Sequence, residues 1–257
     1  MLQRIVVDPA HIHPPTVSLT SHQYHYLSRV LRLKPGDHFI VMNGQGCSWL
    51  AILQDSPTSE GFQAQLIEAI ATQTELPVSV TLVIALPKGN ALDDVVRQAT
   101  ELGVTCFAPV ISDRTLLNPS PQKLERWRRI AQEAAEQSER QQVPTILEPI
   151  LFTEHLQKVI QFSPSNPHYF CVTRYHAPLF LPRLLTSNSF PSALSVAIGP
   201  EGGWTEPEIA AAIAAGYQPV SLGARILRTV TAPIVALSLI TAVYEGGMVN
   251  QGIGNEK

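Results

Sequence analysis

Two apolar segments late in this chain each run straight into a glycine-bearing loop, and that pairing limits the fold more than any other feature. The first reads Val196-Ala-Ile198-Gly199-Pro200-Glu201-Gly202-Gly203-Trp204, with Thr205-Glu-Pro-Glu208 opening the next helix. The second reads Val220-Ser-Leu222-Gly223-Ala-Arg225-Ile226-Leu227-Arg228-Thr229-Val230-Thr231-Ala232. Glycine carries no Cβ, so a ligand can approach main-chain N–H groups closely at these positions. The helix after the first loop leaves its opening N–H groups unpaired in the same space. Strands that end in such loops predict an α/β sheet with a small-molecule site at its carboxyl edge.

The segments upstream fit that sheet. Val78–Leu86 is a continuous apolar, β-branched run of the kind buried on both faces of a parallel sheet. The pattern predicts a helix over Asn90–Leu102 stopped by Gly103, a strand over Val104–Ile111, and a long helix over Gln122–Gln142 closed by Pro144. Tyr169–Thr173, Ala193–Ile198 and Pro219–Leu222 read as further strands, and Ser163–Asn166 and Thr186–Ser192 as surface loops. The last helix, about Ala232–Tyr244, is apolar or small nearly all round and must be buried, in the core or against another subunit.

Residues 1–72 have a different texture. Phe39–Met42, Asn43-Gly44 and Trp49–Leu53 read as a hairpin, Phe62–Ile67 as another strand, and Ser21–Arg32 as a short helix ended by Pro35-Gly36. The expected organisation is a small β-rich module over 1–72 and an α/β domain over 73–250.

Charge adds a local hint. Net charge is −3, which by itself does not point to nucleic acid. Yet Arg4, Arg29, Arg32 and Lys34 meet only Asp8 and Asp37 in the first 38 residues, and Lys123, Arg126, Arg128 and Arg129 surround the single acid Glu125. Such runs are either solvated faces or contacts for a polyanion. Cys47, Cys106 and Cys171 have no metal-ligand spacing, so no metal is expected. No signal-peptide pattern or membrane-length apolar run is present, and a cytoplasmic location without membrane contact is the expectation. P-loop, G-x-G-x-x-G after a strand, HExxH and G-x-S-x-G patterns are all absent.

The motifs themselves carry a resemblance. The Gly199–Thr205 and Ser221–Ala232 segments, His25-Tyr-Leu-Ser-Arg29-Val-Leu-Arg32 with Lys34-Pro-Gly-Asp37, Leu86-Pro-Lys88-Gly89 with Ala99–Val104, Ser112-Asp-Arg114, and Glu133–Arg140 occur in this order. Together they resemble the RsmE family, the uridine-N3 methyltransferases of 16S ribosomal RNA, within the trefoil-knot (SPOUT) class. The resemblance implies a PUA-like barrel followed by a SPOUT domain with a parallel sheet and a deep trefoil knot. It also implies a homodimer acting on 16S rRNA or the small ribosomal subunit, with S-adenosyl-L-methionine as methyl donor.

Residue by residue, the resemblance implies that Ile198, Gly199, Gly202, Gly203, Leu222, Gly223, Ile226 and Leu227 hold the methyl donor, together with the loop that ends the strand near Tyr169–Arg174. Arg4, His25, Arg29, Arg32, Arg114 and Arg140 become candidate RNA contacts. A uridine imino nitrogen is protonated at neutral pH, so catalysis must favour its anion, and a donor to the uracil oxygens can do that. Arg228 is the candidate donor; anchoring a phosphate or carboxylate is the other reading. Glu201 is either catalytic or compensates the helix dipole. One departure stands out: relatives usually read LRTETA where this chain has Leu227-Arg-Thr-Val230-Thr-Ala232. Two alternatives therefore stay open, a methyltransferase acting on another rRNA or tRNA site and a non-catalytic RNA-binding assembly protein.

Overall fold

The computed structural model describes residues 2–55, 61–115, 119–162, 165–186 and 191–252. Residues 163–164 and 187–190, within the two expected surface loops, lie outside them. The chain divides into two compact units, Met1–Glu75 with Gln132–Val143, and Leu76–Ala131 with Pro144–Lys257.

The first unit is one sheet. Its strands are β1 (Arg4–Val6), β2 (Ile12–His13), β3 (Thr16–Leu19), β4 (His38–Met42), β5 (Ser48–Leu53) and β6 (Phe62–Ile70), in the order β1-β4-β5-β6-β3-β2. Ile5 of β1 and Ile12 of β2 stand at opposite ends of this order yet share one core with Val17, Phe39, Ala51 and Ala64. The sheet must therefore curl until its two edges face the same interior. The hairpin differs from the expected Asn-Gly turn. Met42 pairs with Ser48, so five residues connect the strands, and Asn43 Oδ1 organises them by accepting from Gln45 N at 2.8 Å and Cys47 N at 3.0 Å.

The expected Ser21–Arg32 helix is a composite. Helix α1 (Ser21–His25) starts with a capping box between Thr20 and Gln23. It widens into a π-helical turn over Tyr26–Val30, and the chain leaves through Arg32 at φ 60°. A π turn admits one extra residue, which sets Arg29 and Arg32 on an exposed face.

The second unit contains β7 (Ser79–Ala85), α2 (Ala91–Glu101), β8 (Cys106–Ile111), α3 (Pro121–Gln137), β9 (Thr145–Ile146), β10 (Ile150–Leu151), α4 (Phe152–Phe162), β11 (His168–Cys171), α5 (Phe180–Leu185), β12 (Ala193–Ile198), α6 (Glu206–Ala214), β13 (Gln218–Val220) and α7 (Thr231–Gly252). Helix α3 runs past Ala131, so its last residues group with the first unit. The strands form one wholly parallel sheet, ordered β10-β8-β7-β12-β11-β13, with β9 also on β8. After β10 the chain crosses to β11 and then inserts β12 between β11 and β7. The carboxyl ends of β11, β12 and β13 thereby become neighbours.

Helix α2 stops at Gly103, whose φ is +89° and whose missing Cβ would stand 2.6 Å from Leu76 Cδ1. Gly103→Ala is expected to destabilise the protein by about 2 kcal/mol, through a left-handed alanine and a forced shift of Leu76; the midpoint of urea unfolding would report it. Buried Asp93 joins α2 to α3, accepting from Trp127 Nε1 at 3.0 Å and Arg126 Nε at 2.7 Å. Arg128 pairs with Glu125 and Glu148, and Lys123 donates to Gly89 O at 2.8 Å. Much of the basic run on α3 is thus spent within the protein.

A polar cluster lies inside the apolar core of this unit. His155 Nε2 is 2.8 Å from Tyr217 Oη, and His168 Nδ1 is 2.7 Å from Ser195 Oγ. Burial, with the positive fields of His168 and Lys158, pushes the His155 imidazole down to about 4. A lowered folded pKa stabilises the protein fully above the ordinary value near 6.5, and that stabilisation is lost as pH falls from there to about 4. Stability is expected to drop by up to about 3 kcal/mol over this window. Thermal melts of wild type and His155→Phe check it, because the variant should lose this part of the pH dependence.

Candidate functional site

Three loops at the carboxyl ends of β11, β12 and β13 enclose a cavity of about 720 Å³, within the range of small-molecule sites. Ile198, Gly199, Gly202 and Gly203 line it from the β12 loop, and Leu222, Gly223, Ile226 and Leu227 from the β13 loop. Arg228 and Val230 continue that wall. The structure brings every residue expected at the methyl donor into one place.

The β12 loop is tightly held. Gly203 N donates to Pro200 O at 2.8 Å, and Gly203 has φ +69°. Glu201 Oε1 accepts from Lys88 N at 2.9 Å, fastening the loop to the turn after β7. Arg114 Nη1 donates to Gly202 O, and the Arg114 side chain packs where a Cβ on Gly202 would stand. Helix α6 then opens with a capping box between Thr205 and Glu208, while Glu208 Oε1 also accepts from Asp113 N at 3.0 Å. Glu206 and Glu208 therefore occupy the first helical turn. Glu201 acts instead as a tie between loops.

Gly199 has a packing reason. A Cβ there would stand 2.9 Å from Trp204 Nε1. The indole is buried, stacked on Phe152 at 4.6 Å and Phe170 at 4.7 Å. Its Nε1–H has no hydrogen-bond partner among the described residues, which leaves a donor at the cavity wall unanswered.

The β13 loop has a different character. Ser221 Oγ accepts from Gly223 N at 3.2 Å, and Gly223 has φ +121°. Arg228 O accepts from Thr231 N and Ala232 N, both at 2.9 Å, so α7 starts from this loop. The Arg228 guanidinium is left exposed, with no carboxylate paired to it among the described residues. Ile226 is 64% exposed at the rim, an apolar side chain in want of cover.

The third loop is the one ending the strand near Tyr169–Arg174, which the resemblance implies at the donor. Val172, Thr173, Arg174 and Tyr175 follow β11 and line the same cavity. Arg114, Arg174, Arg225 and Arg228 face it against Glu201 and Glu206, so the rim favours an anionic ligand. Cys171 also lines it, but burial pushes its thiol up to about 12. That thiol stays protonated and is no nucleophile.

The expected RNA contacts separate into two groups. His25, Arg29 and Arg32 are exposed together around the π-helical turn of the first unit. Arg140 has to be corrected. Its side chain is only 2% exposed, and its guanidinium donates from Nε and Nη2 to Glu75 Oε2 at 3.1 and 2.6 Å. A buried, fully engaged guanidinium cannot reach a phosphate; Arg140 holds the first unit together. Arg4 is similarly occupied, 2.8 Å from Glu139 with 13% of its side chain exposed. Arg114 belongs to the cavity through its bond to Gly202. Among the described residues no group of His, Cys, Asp and Glu is placed to hold a metal, and no helix is long and apolar enough to cross a membrane.

The chain is similar to known proteins over most of its length. Residues 74–241 match a family described as RNA methyltransferase domain, and residues 19–67 one described as RNA methyltransferase PUA domain. A Synechocystis protein named ribosomal RNA small subunit methyltransferase E is 51% identical over 245 residues, spanning 95% of this chain and 79% of its own. The Bacillus subtilis protein of the same name is 33% identical over 231 residues, spanning 88% and 90%. The crystal structure of ribosomal RNA small subunit methyltransferase E from Neisseria gonorrhoeae, bound to S-adenosyl methionine, superposes with a TM-score of 0.83 at 30% identity. That match covers 95% of this chain and 98% of the other.

Proposed function

Since the chain belongs to the family of ribosomal RNA small subunit methyltransferase E, we propose that it methylates N3 of a uridine in 16S rRNA with S-adenosylmethionine as donor. The observation that carries this reading is the three-loop cavity, where bare main chain, apolar walls and free guanidinium groups converge. The residues fit such a ligand. Gly199, Gly202 and Gly203 leave main chain exposed, Leu222, Ile226 and Leu227 offer walls for an adenine, and the Trp204 Nε1–H is an unused donor. Bound there, S-adenosylmethionine supplies a sulfonium methyl that needs positioning and no metal.

The protein's own task is the uracil. Its N3 lies on the pairing edge, so the base must be unpaired or extruded to enter the cavity. Arg228, exposed and uncompensated, then sits where it can donate to the uracil oxygens as the N3 proton leaves, favouring the anion over the neutral base. His25, Arg29 and Arg32 supply a basic face on the first unit for the surrounding phosphates. In the same reading the enzyme is a cytoplasmic homodimer that pairs through the outer face of α7, where Ser238 and Ala242 are exposed; light scattering of the purified protein tests the pairing.

Donor binding is the first test. S-adenosylmethionine, without metal, is expected to raise the melting temperature, and Gly202→Val to abolish that rise by displacing Arg114 and crowding the cavity. Mass spectrometry of rRNA nucleosides from a deletion strain then tests the position, with loss of 3-methyluridine from 16S rRNA expected. Loss of a methylated nucleoside from another RNA would move the target. An unchanged nucleoside profile, with no donor binding by calorimetry, would favour the assembly-protein reading, whose support is Val230 in place of the usual glutamate.

A further inference from the structure

The loop after β11 contains a backbone feature of its own, at a residue that is not a glycine. Arg174 has φ +58°, the left-handed region that glycine enters freely and side chains enter at a cost. Glycine fills the comparable positions at Gly203 and Gly223. An arginine kept in such a conformation at a cavity rim suggests that its side chain is used. The left-handed step redirects the chain so that Thr173, Arg174 and Tyr175 all border the cavity. Thr173 Oγ1 stands 3.8 Å from the Cβ position of Gly203, so this loop faces the β12 loop directly.

The two side chains have complementary chemistry. Arg174 is exposed, and among the described residues no carboxylate pairs with it. Tyr175 is 45% exposed, and the ring contacts of the core, which join Phe152, Phe170, Trp204 and Tyr217, do not include it. An unstacked aromatic ring next to a free guanidinium is how proteins hold a single unpaired nucleotide. The ring takes the base face and the cation takes the phosphate. Arg225 and Arg228 line the cavity from the β13 loop, so a nucleotide entering it meets cations from both loops.

Resting on the reading of this site as an RNA methyltransferase centre, we propose that Arg174 and Tyr175 form the seat of the extruded nucleotide. Tyr175 stacks on a base and Arg174 binds its phosphate. Both are substrate-binding residues, distinct from the donor-binding glycines and from Arg228.

The left-handed backbone makes the test decisive. Arg174→Gly relieves the strain, so if the arginine only shaped the loop, the variant would be at least as stable and as active as wild type. The full-length protein is assayed with S-adenosylmethionine, using purified 16S rRNA and, in parallel, small subunits from a deletion strain. Arg174→Gly is expected to keep the melting temperature and donor affinity, to weaken RNA binding about tenfold, and to lower the slope of log K against log salt by about one. Arg174→Lys should recover part of the loss. Tyr175→Ala is expected to raise the KM for RNA about tenfold, and Tyr175→Phe to recover most of it, because the ring face is retained. Wild-type RNA affinity of Arg174→Gly at both low and high salt overturns the assignment, and so does a loss confined to donor binding. A wild-type protein that methylates neither substrate would overturn the proposed function, and this seat with it.

Discussion

Arg228→Ala is expected to transfer methyl groups about a hundredfold more slowly than wild type, with donor affinity little changed. The magnitude is that of removing one preorganised donor from a developing oxyanion, roughly 2.7 kcal/mol of barrier. The geometry supports it because Arg228 lines the cavity immediately after the loop containing Gly223, while only its main-chain carbonyl is used in starting α7. Its guanidinium is thus available to a ligand. Arg228→Lys should recover only part of the rate, since a point charge cannot reproduce the planar fork. Single-turnover kinetics at saturating donor separate the chemical step from binding. Full activity in Arg228→Ala would remove this residue from the mechanism. Val230→Glu makes the companion variant: Val230 lines the same cavity, and restoring the usual acid should leave activity equal or higher if the loop works as in relatives.

Glu75→Ala should unfold the first unit far more readily, by about 3–5 kcal/mol, the cost of breaking a buried ion pair by removing one partner. Glu75 Oε2 takes two donors from Arg140, and Oε1 accepts from Gln141 N at 2.9 Å and Gln142 N at 3.1 Å. Removing the carboxylate takes the ion-pair partner from a guanidinium that is only 2% exposed and leaves two main-chain donors without their acceptor. Amide exchange of β4–β6 under increasing urea would report the loss locally. An RNA role for Arg140 makes the opposite forecast, in which Glu75→Ala frees a cation and RNA binding tightens at little cost in stability. The two outcomes cannot be confused.

Alternation along the chain was enough to read β7, α2, β8 and β12 within a residue or two, because burial of a central parallel strand or of one helix face is written in consecutive residues. Short edge elements were not. β9 and β10 are two residues each and have no period of their own; they exist because β8 offers them partners. The Tyr26–Val30 π turn is hidden for a similar reason, since its sequence reads as ordinary helix.

For the site, the sequence by itself determined the parts that depend on the backbone. A glycine is needed where φ is positive or an indole presses in, and Gly203, Gly223 and Gly199 meet those conditions. The helix start at Thr205 and Glu208 is equally local. Tertiary structure alone decided which charges are free. Arg140 and Arg228 are both arginines beside a motif, yet Glu75, 65 positions away, neutralises the first, while no described carboxylate pairs with the second. The loop after β11, which the resemblance already implied at the donor, reaches the cavity through the insertion of β12 between β7 and β11. Local sequence specifies conformation and burial; which side chains meet across the fold follows from strand order, and no run of neighbouring residues encodes that.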